Sequence, residues 1–420
     1  MYFSRNMEDI VSQTSATFPV LLVTGPRQVG KTTLLEKLAT GERKYVSLDN
    51  PTNRILAKKE PELFLQRYVP PVTIDEIQYA PELLDFIKIY VDTHKNCGDF
   101  WLTGSQTFHI MKNVSKSLAG RVGILRLLGL SNNELRGHRF PAFTLEPKEL
   151  IRRMGIVKPM TLPEIFHRIH KGSMPRLYEN PNVDQQLYYE SYLQTYIERD
   201  IRDLKQVADE LAFFRFLSIV AARTATNVNY EVLANEAEIT APTAKKWLSL
   251  LVSSGLVALI QPYANNALKR TIKAPRMYFL DTGLCAYLTR WNSPEALESG
   301  AMSGQIFETW VVSEIYKSYL NAGKRPPLYF YRDSNKREID LLISENRTVY
   351  PIEIKKSASP HGATKHFNVL KPITIDPSQE DRFSGSGHLK TEIGTGAVVC
   401  LCSDVLPIDQ KNWLVPAWLI

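Results

Sequence analysis

Residues 21–35 read LLVTGPRQVGKTTLL, and how this stretch is read decides the fold. An apolar run is followed by G-x-x-x-x-G-K-T and then by helix-forming residues, which spells strand, glycine-rich loop, helix. Gly25 and Gly30 let the backbone curl until its N–H groups face phosphate oxygens, with Pro26, Arg27, Gln28 and Val29 completing the loop. A helix starting near Lys31 adds the positive end of its dipole. Lys31 supplies a point charge for the β- and γ-phosphates, Thr32 a hydroxyl for Mg²⁺, and Thr33 closes the set of binding residues. The expected cofactors are therefore ATP and Mg²⁺.

Working outward, PPVTIDEIQ (70–78) is a β-rich run ending in two acids. Asp75 suits a second contact to Mg²⁺, and Glu76 suits the base that orients an attacking water, so the pair argues for hydrolysis. The run FWLTGSQ (100–106) ends in Thr103 and Ser105. Their hydroxyls either sense the γ-phosphate or serve ordinary turn chemistry. In KSLAGRVGIL (116–125), Arg121 precedes a strand. It can neutralise transition-state charge in its own chain or a neighbour's, or form a surface ion pair. Arg27 is a weaker candidate for the same role.

The first 145 residues alternate short β-rich runs with helical stretches, the rhythm of a parallel α/β sheet. Residues 146–205 turn helical, a lid or connector, with Tyr188, Tyr192 and Tyr196 at helical spacing; core packing is the expectation for them, RNA stacking the alternative. Residues 206–285 read helix, helix, turn, helix, hairpin, the order of a winged helix. Thr240 caps its third helix, Pro242 sits in the first turn, and Gly255 ends it. If this module reads DNA, Thr243, Lys245 and Lys246 are the candidates; a spacer or protein contact is the alternative. Residues 286–420 form a second α/β domain. Its apolar end, WLVPAWLI, is expected to dock into that domain's core.

Composition limits the alternatives. The 420 residues carry net charge +7 with four cysteines, Cys97, Cys285, Cys400 and Cys402. Their spacing fits neither a disulfide framework nor a zinc site. No apolar run nears the roughly 20 residues that span a bilayer, and MYFSRNMEDI lacks a signal-peptide layout, so no membrane contact and a cytoplasmic location are expected. The basic balance allows contact with a polyanion; nucleic acid, DNA ahead of RNA, is the expected partner.

In the tail, REIDLLI (337–343) and VYPIEIK (349–355) alternate charged and apolar residues. Counting by twos puts Glu338 and Asp340 on one face, with Ile339, Leu341 and Ile343 on the other. It likewise groups Glu353 with Lys355, and a hairpin pairing would bring Asp340, Glu353 and Lys355 together. Two carboxylates can bind Mg²⁺ and a lysine can steady developing charge, while Glu308 in GQIFETWVV can complete the metal set. The alternative is a solvated sheet face. His361 and His366 have no metal spacing, and Lys356, Lys365 and Lys371 can touch phosphates or simply face water.

The strings GPRQVGKTTLL, LDNP (48–51), IDEIQ (74–78), LTGSQ (102–106), SLAGRV (117–122), ERDI (198–201) and FLDTGL (279–284) together resemble the AAA-like ATPases of bacteria and archaea that carry a C-terminal domain of unknown function. The resemblance implies an α/β multidomain chain: an AAA-type P-loop core, a helical lid, a winged helix and a restriction-endonuclease-like C-terminal domain. Rings of such ATPases complete their sites with a neighbour's arginine, so a homo-oligomer is one implied state. The tail is similar to the PD-(D/E)xK nucleases, with Asp340 as first acid, Glu353 and Lys355 as the ExK pair and Glu308 as a helical acid. Ile339 stands where those enzymes often have proline.

Overall fold

The computed structural model describes residues 2–39, 41–105, 114, 116–196, 209–263, 274–371 and 392–420. The expected ERDI motif, the end of LTGSQ at Gln106 and the Tyr196 side chain lie outside the described residues. Strands β1 (Val20–Thr24), β2 (Lys44–Ser47), β3 (Val72–Asp75), β4 (Phe100–Gly104) and β5 (Val122–Arg126) form a sheet of order β2-β3-β4-β1-β5. Every neighbour pair is parallel. Both faces of β1 are covered: Leu21 and Val23 pack with Leu34, Leu35 and Trp101, while Val20 and Leu22 pack with Ile74, Phe100 and Leu102. This is why β1 reads as an unbroken apolar run. Parallel strands need long crossovers, and helices Lys31–Leu38 and Leu83–His94 supply two of them. All five strands therefore end at one edge of the sheet, where the glycine-rich loop, Asp75–Glu76 and Gly104–Ser105 meet.

The connector contains helices Leu162–Lys171, Arg176–Glu179 and Gln185–Tyr196. Tyr188 and Tyr192 are buried, so these two rings serve packing. Next come helix Glu210–Ala222, β6 (Thr226–Asn227), helices Tyr230–Ala237 and Ala241–Ser254, then β7 (Val257–Pro262) and β8 (Arg276–Phe279). β8 lies antiparallel between β6 and β7. The third helix starts and stops as its sequence demands. Thr240 accepts from Thr243 N, a proline occupies the first turn, and Gly255 caps the end at φ 82°. Phe213 and Phe216 set their rings edge-on to Trp247, at 5.2 and 5.6 Å between centroids.

The C-terminal segment opens with helix Ser303–Asn321, followed by β9 (Leu328–Arg332), β10 (Glu338–Glu345), β11 (Thr348–Ile354), β12 (Glu392–Ile393), β13 (Gly396–Cys400), β14 (Leu406–Pro407) and β15 (Asn412–Pro416). β9, β10 and β11 are antiparallel neighbours, whereas β13 runs parallel to β11 and β15 to β13. β7 also pairs with β9, through Gln261–Tyr329 and Pro262–Phe330. The middle hairpin and the C-terminal strands thus form one continuous sheet. The last residues, including Trp418, Leu419 and Ile420, are buried, but in a core shared with the ATPase, connector and middle segments rather than in one confined to the C-terminal domain. No helix among the described residues is long and apolar enough to cross a membrane.

One expectation needs correcting. Simple alternation put Ile339 on the same face as Leu341 and Ile343, but Ile339 packs with Leu342, Val349 and Phe367, while Leu341 and Ile343 pack with Ile352 and Ile354 on the other side. The cause is a register shift against β9 between Ile339 and Leu342. Asp340 and Leu341 together oppose the single residue Phe330, which is a β-bulge.

Candidate functional site

The glycine-rich loop is built from left-handed backbone. Gly25, Gln28 and Gly30 have φ of 147°, 60° and 90°. A side chain at Gly25 would place its Cβ 1.9 Å from Leu127 O, so glycine is required by space as well as by φ. Lys31 is buried and its Nζ donates to Gly25 O at 3.1 Å and Pro26 O at 2.7 Å, folding over the loop it serves.

Strand order places β4 between β1 and β3, so Thr103 sits between the loop and the acids. Asp75 Oδ1 accepts from Thr32 Oγ1 at 2.8 Å and from Thr103 Oγ1. Thr103 Oγ1 also accepts from Glu76 N at 3.1 Å. Glu76 adopts φ 58°, and its carboxylate receives Ser105 Oγ at 3.4 Å and Gln78 Nε2. Thr103 and Ser105 are thus committed to the two acids. Thr32 and Asp75 bring a hydroxyl and a carboxylate together, a pair of hard oxygen donors that fits Mg²⁺.

The adjoining cleft, about 480 Å³, is lined by Arg27, Gln28, Gly30, Lys31, Thr32, Thr33 and Glu76, and by Pro175, Arg176, Glu179 and Thr195 of the connector. The connector residues escaped the sequence reading because nothing local marks them. Tyr45 escaped it too: its hydroxyl donates to Asp75 Oδ2 at 3.1 Å. Burial, with Asp75 beside it, pushes that phenol's pKa up.

Arg121 does not join this cleft. Its carbonyl accepts from Val20 N at the opening end of β1, and its guanidinium pairs with Asp92, Nη2 to Oδ2 at 2.9 Å. A five-residue strand spans roughly 16 Å. The within-chain option for Arg121 is therefore removed by the parallel sheet, which sends strand starts and strand ends to opposite edges.

The tail residues do converge. Asp340, at the bulge, accepts from Ile354 N at 2.9 Å and from Lys355 Nζ at 3.2 Å. Lys355 Nζ also lies 2.7 Å from Glu353 Oε2. Burial, and then the Asp340 charge, push the Glu353 carboxyl up to about 8. Lys355 is pulled down by burial, but Asp340 and Glu353 outweigh it and hold the ammonium above its usual range. Lys336, Lys365, His361 and His366 border the same groove, about 560 Å³. Lys356 also borders it, its ammonium bonded to Glu298 O and Ser303 Oγ.

Glu308 departs from expectation. Tyr278 OH donates to its Oε1 at 2.8 Å, and Arg276 Nη1 lies 3.4 Å from the same oxygen. Burial, then Asp340, push this carboxyl up to about 7. Among the described residues no group of three or more histidine, cysteine or acidic side chains is arranged to hold a metal. Asp340 and Glu353 retain the crowded-carboxylate chemistry that suits a divalent cation. Glu308 is held instead by two residues of β8. In the middle segment, Lys245 and Lys246 are exposed, and Thr243 Oγ1 is bonded to Thr240 Oγ1 at 2.8 Å.

Comparison with known proteins bears on the domain that holds the first of these sites. Residues 17–136 match the AAA domain family, and this part of the chain is an AAA-like ATPase domain. Residues 163–295 and 303–420 match two domains of unknown function, DUF8612 and DUF4143. Uncharacterized proteins of Mycobacterium bovis and Mycobacterium tuberculosis are each 27% identical over 343 residues, covering 81% of this chain and 71% of theirs. Among solved structures, the Thermotoga maritima RuvB Holliday junction branch migration motor is 17% identical with a TM-score of 0.29, covering 60% of this chain and 88% of its own. The ADP form of Aeropyrum pernix ORC2 is 14% identical with a TM-score of 0.30, covering 60% and 85%.

Proposed function

We propose that this protein hydrolyses ATP to control a C-terminal site that acts on nucleic acid, DNA ahead of RNA. In the ATPase domain the loop N–H groups and Lys31 hold the phosphates, and Thr32 and Asp75 would hold Mg²⁺. Glu76, steadied by Ser105 and Gln78, takes a proton from the attacking water. Mg²⁺, held there by the Thr32 hydroxyl and the Asp75 carboxylate, would supply neutralisation of the negative charge on the phosphates.

For the tail, the observation that carries the reading is the convergence of Asp340, Glu353 and Lys355 in the lining of a lysine-bordered groove. Asp340 and Glu353 would hold a divalent cation, which when bound polarises a phosphodiester. Lys355 steadies charge on the phosphate, and the bordering lysines attract the backbone. The helices and hairpin of residues 210–279 have the order of a winged helix, and exposed Lys245 and Lys246 support duplex contact there.

A second reading, a nucleotide-dependent switch that grips without cutting, is favoured by the commitment of Glu308 to Arg276 and Tyr278. Cleavage of labelled single-stranded DNA, duplex DNA and RNA with Mg²⁺ or Mn²⁺, with and without ATP, separates the two. Cutting that disappears in Asp340→Asn supports the nuclease; tight binding with no cutting by the wild type supports the switch.

A further inference from the structure

One buried charge beside the phosphate-binding loop has no part in the scheme above. Arg5 is only 3% exposed. Its Nη1 donates to Val29 O, inside the loop, at 2.9 Å, and its Nη2 donates to Leu128 O at 2.7 Å. Its Nε donates to Glu134 Oε1 at 3.1 Å. Glu134 is itself immobilised: its side chain is fully buried, it accepts from Asn6 N at 2.8 Å, and it closes a capping box with Ser131. A guanidinium stripped of water needs every donor matched, and here a planar fork meets acceptors on three different segments.

What this does to the loop follows from peptide geometry. Val29 C=O and Gly30 N–H belong to one planar trans unit and point in opposite directions. Drawing Val29 O inward to Arg5 therefore turns Gly30 N–H outward, and Gly30 borders the nucleotide cleft. The same guanidinium holds the chain leaving β5 through Leu128 O. That segment is the wall against which Gly25 lies, since a Cβ there would collide with Leu127 O. Arg5 thus fixes the loop and its wall relative to each other.

We propose that Arg5 is a positioning residue of the nucleotide site, orienting the Val29–Gly30 peptide so that its N–H meets a phosphate oxygen of a bound nucleoside di- or triphosphate. The proposal rests on the ATP-binding reading. A lysine cannot replace Arg5, because one ammonium cannot reach Val29 O, Leu128 O and Glu134 in the fork geometry.

The test is the affinity of the full chain for a fluorescent ATP analogue, for wild type, Lys31→Ala, Arg5→Ala and Arg5→Lys, with folding followed by circular dichroism at the same temperature. Arg5→Ala is expected to weaken binding by about tenfold while the folded signal is retained, and millimolar guanidinium ion is expected to restore much of the loss. Arg5→Lys, which keeps a charge beside Glu134, carries the test if the alanine variant does not fold, and is expected to weaken binding without rescue by guanidinium. Wild-type affinity in a folded Arg5 variant, or a loss in Arg5→Ala that guanidinium leaves untouched, overturns the proposal alone. A wild type that binds no nucleotide, or a Lys31→Ala variant that binds as well as wild type, overturns the ATP-binding reading and this proposal with it.

Discussion

Thr103 sits on the middle strand of the ATPase crevice with no exposed surface, and its hydroxyl donates to Asp75 while accepting from the Glu76 amide. Thr103→Val keeps shape and volume but leaves an N–H and a carboxylate oxygen each short of a partner. The expected cost is about 1–3 kcal/mol in unfolding free energy. A larger effect is expected on turnover, roughly ten- to a hundredfold in kcat, with nucleotide affinity nearly unchanged; equal kcat in the two proteins would show that Thr103 only packs. In the tail, the Glu353 carboxyl is raised to about 8 from an ordinary 4.5. A group whose folded pKa is raised contributes stability below its unfolded pKa, and that contribution is lost as pH climbs through the folded value. Wild type should therefore lose stability between about pH 4.5 and 8, and Glu353→Gln should flatten that slope and melt higher than wild type at pH 9. Parallel melting curves for the two proteins across this range would refute it.

Helix Ala241–Ser254 shows what an element contributes beyond its own turns. Its capping glycine, Gly255, lies against the phosphate-binding loop: an added Cβ would approach Pro26 at 3.1 Å and Arg126 Nη2 at 3.2 Å. Arg126 in turn donates to Val252 O of the same helix at 2.7 Å. Gly255→Ala should cost about 1 kcal/mol for the left-handed cap and in addition weaken nucleotide binding, because Pro26 must shift. A lower melting temperature with unchanged nucleotide affinity would mean that the contact is passive. At this scale much was legible. The five parallel strands, the caps at Thr240 and Gly255 and the two phosphate-site motifs are local, and each is written in a few adjacent residues. The β10 bulge was not legible, since it is a mismatch of register with β9 that neither strand's own pattern encodes. Nor was the role of Glu308, whose partners Arg276 and Tyr278 arrive from a strand far back in the chain. Arg5 was hidden for the same reason, one charged residue in a short N-terminal stretch whose acceptors lie more than twenty and more than a hundred residues away.

Across the whole molecule, helix Ser303–Asn321 joins the two sites. Near its end Asn321 Nδ2 approaches Glu134 Oε1 at 3.5 Å, and Lys317 Nζ donates to Leu130 O at 3.3 Å. Glu314 Oε2 accepts from Asn132 N at 2.8 Å. Glu134 is the partner of Arg5, so this end of the helix rests on the support of the phosphate-binding loop. Glu308, thirteen positions earlier on the same rigid rod, is roughly 20 Å away beside Asp340. On the proposed function, a nucleotide-dependent shift of the loop would reach the tail along this helix, whose end contacts Asn132, Leu130 and Glu134. The expected outcome is reciprocal coupling: a non-hydrolysable ATP analogue changes DNA affinity by some factor, and DNA changes affinity for the analogue by the same factor. Glu314→Gln, which weakens the grip on Asn132 and leaves a buried Lys317 without its charge partner, should bring that factor toward one while each ligand alone still binds. Asp340→Asn should leave ATP turnover intact, because Asp340 belongs to β10 of the tail and not to the phosphate site, whereas Lys31→Ala should remove turnover and coupling together. Coupling of unchanged size in Glu314→Gln would place the connection elsewhere, through the β7–β9 pairing that makes the middle and C-terminal strands one sheet.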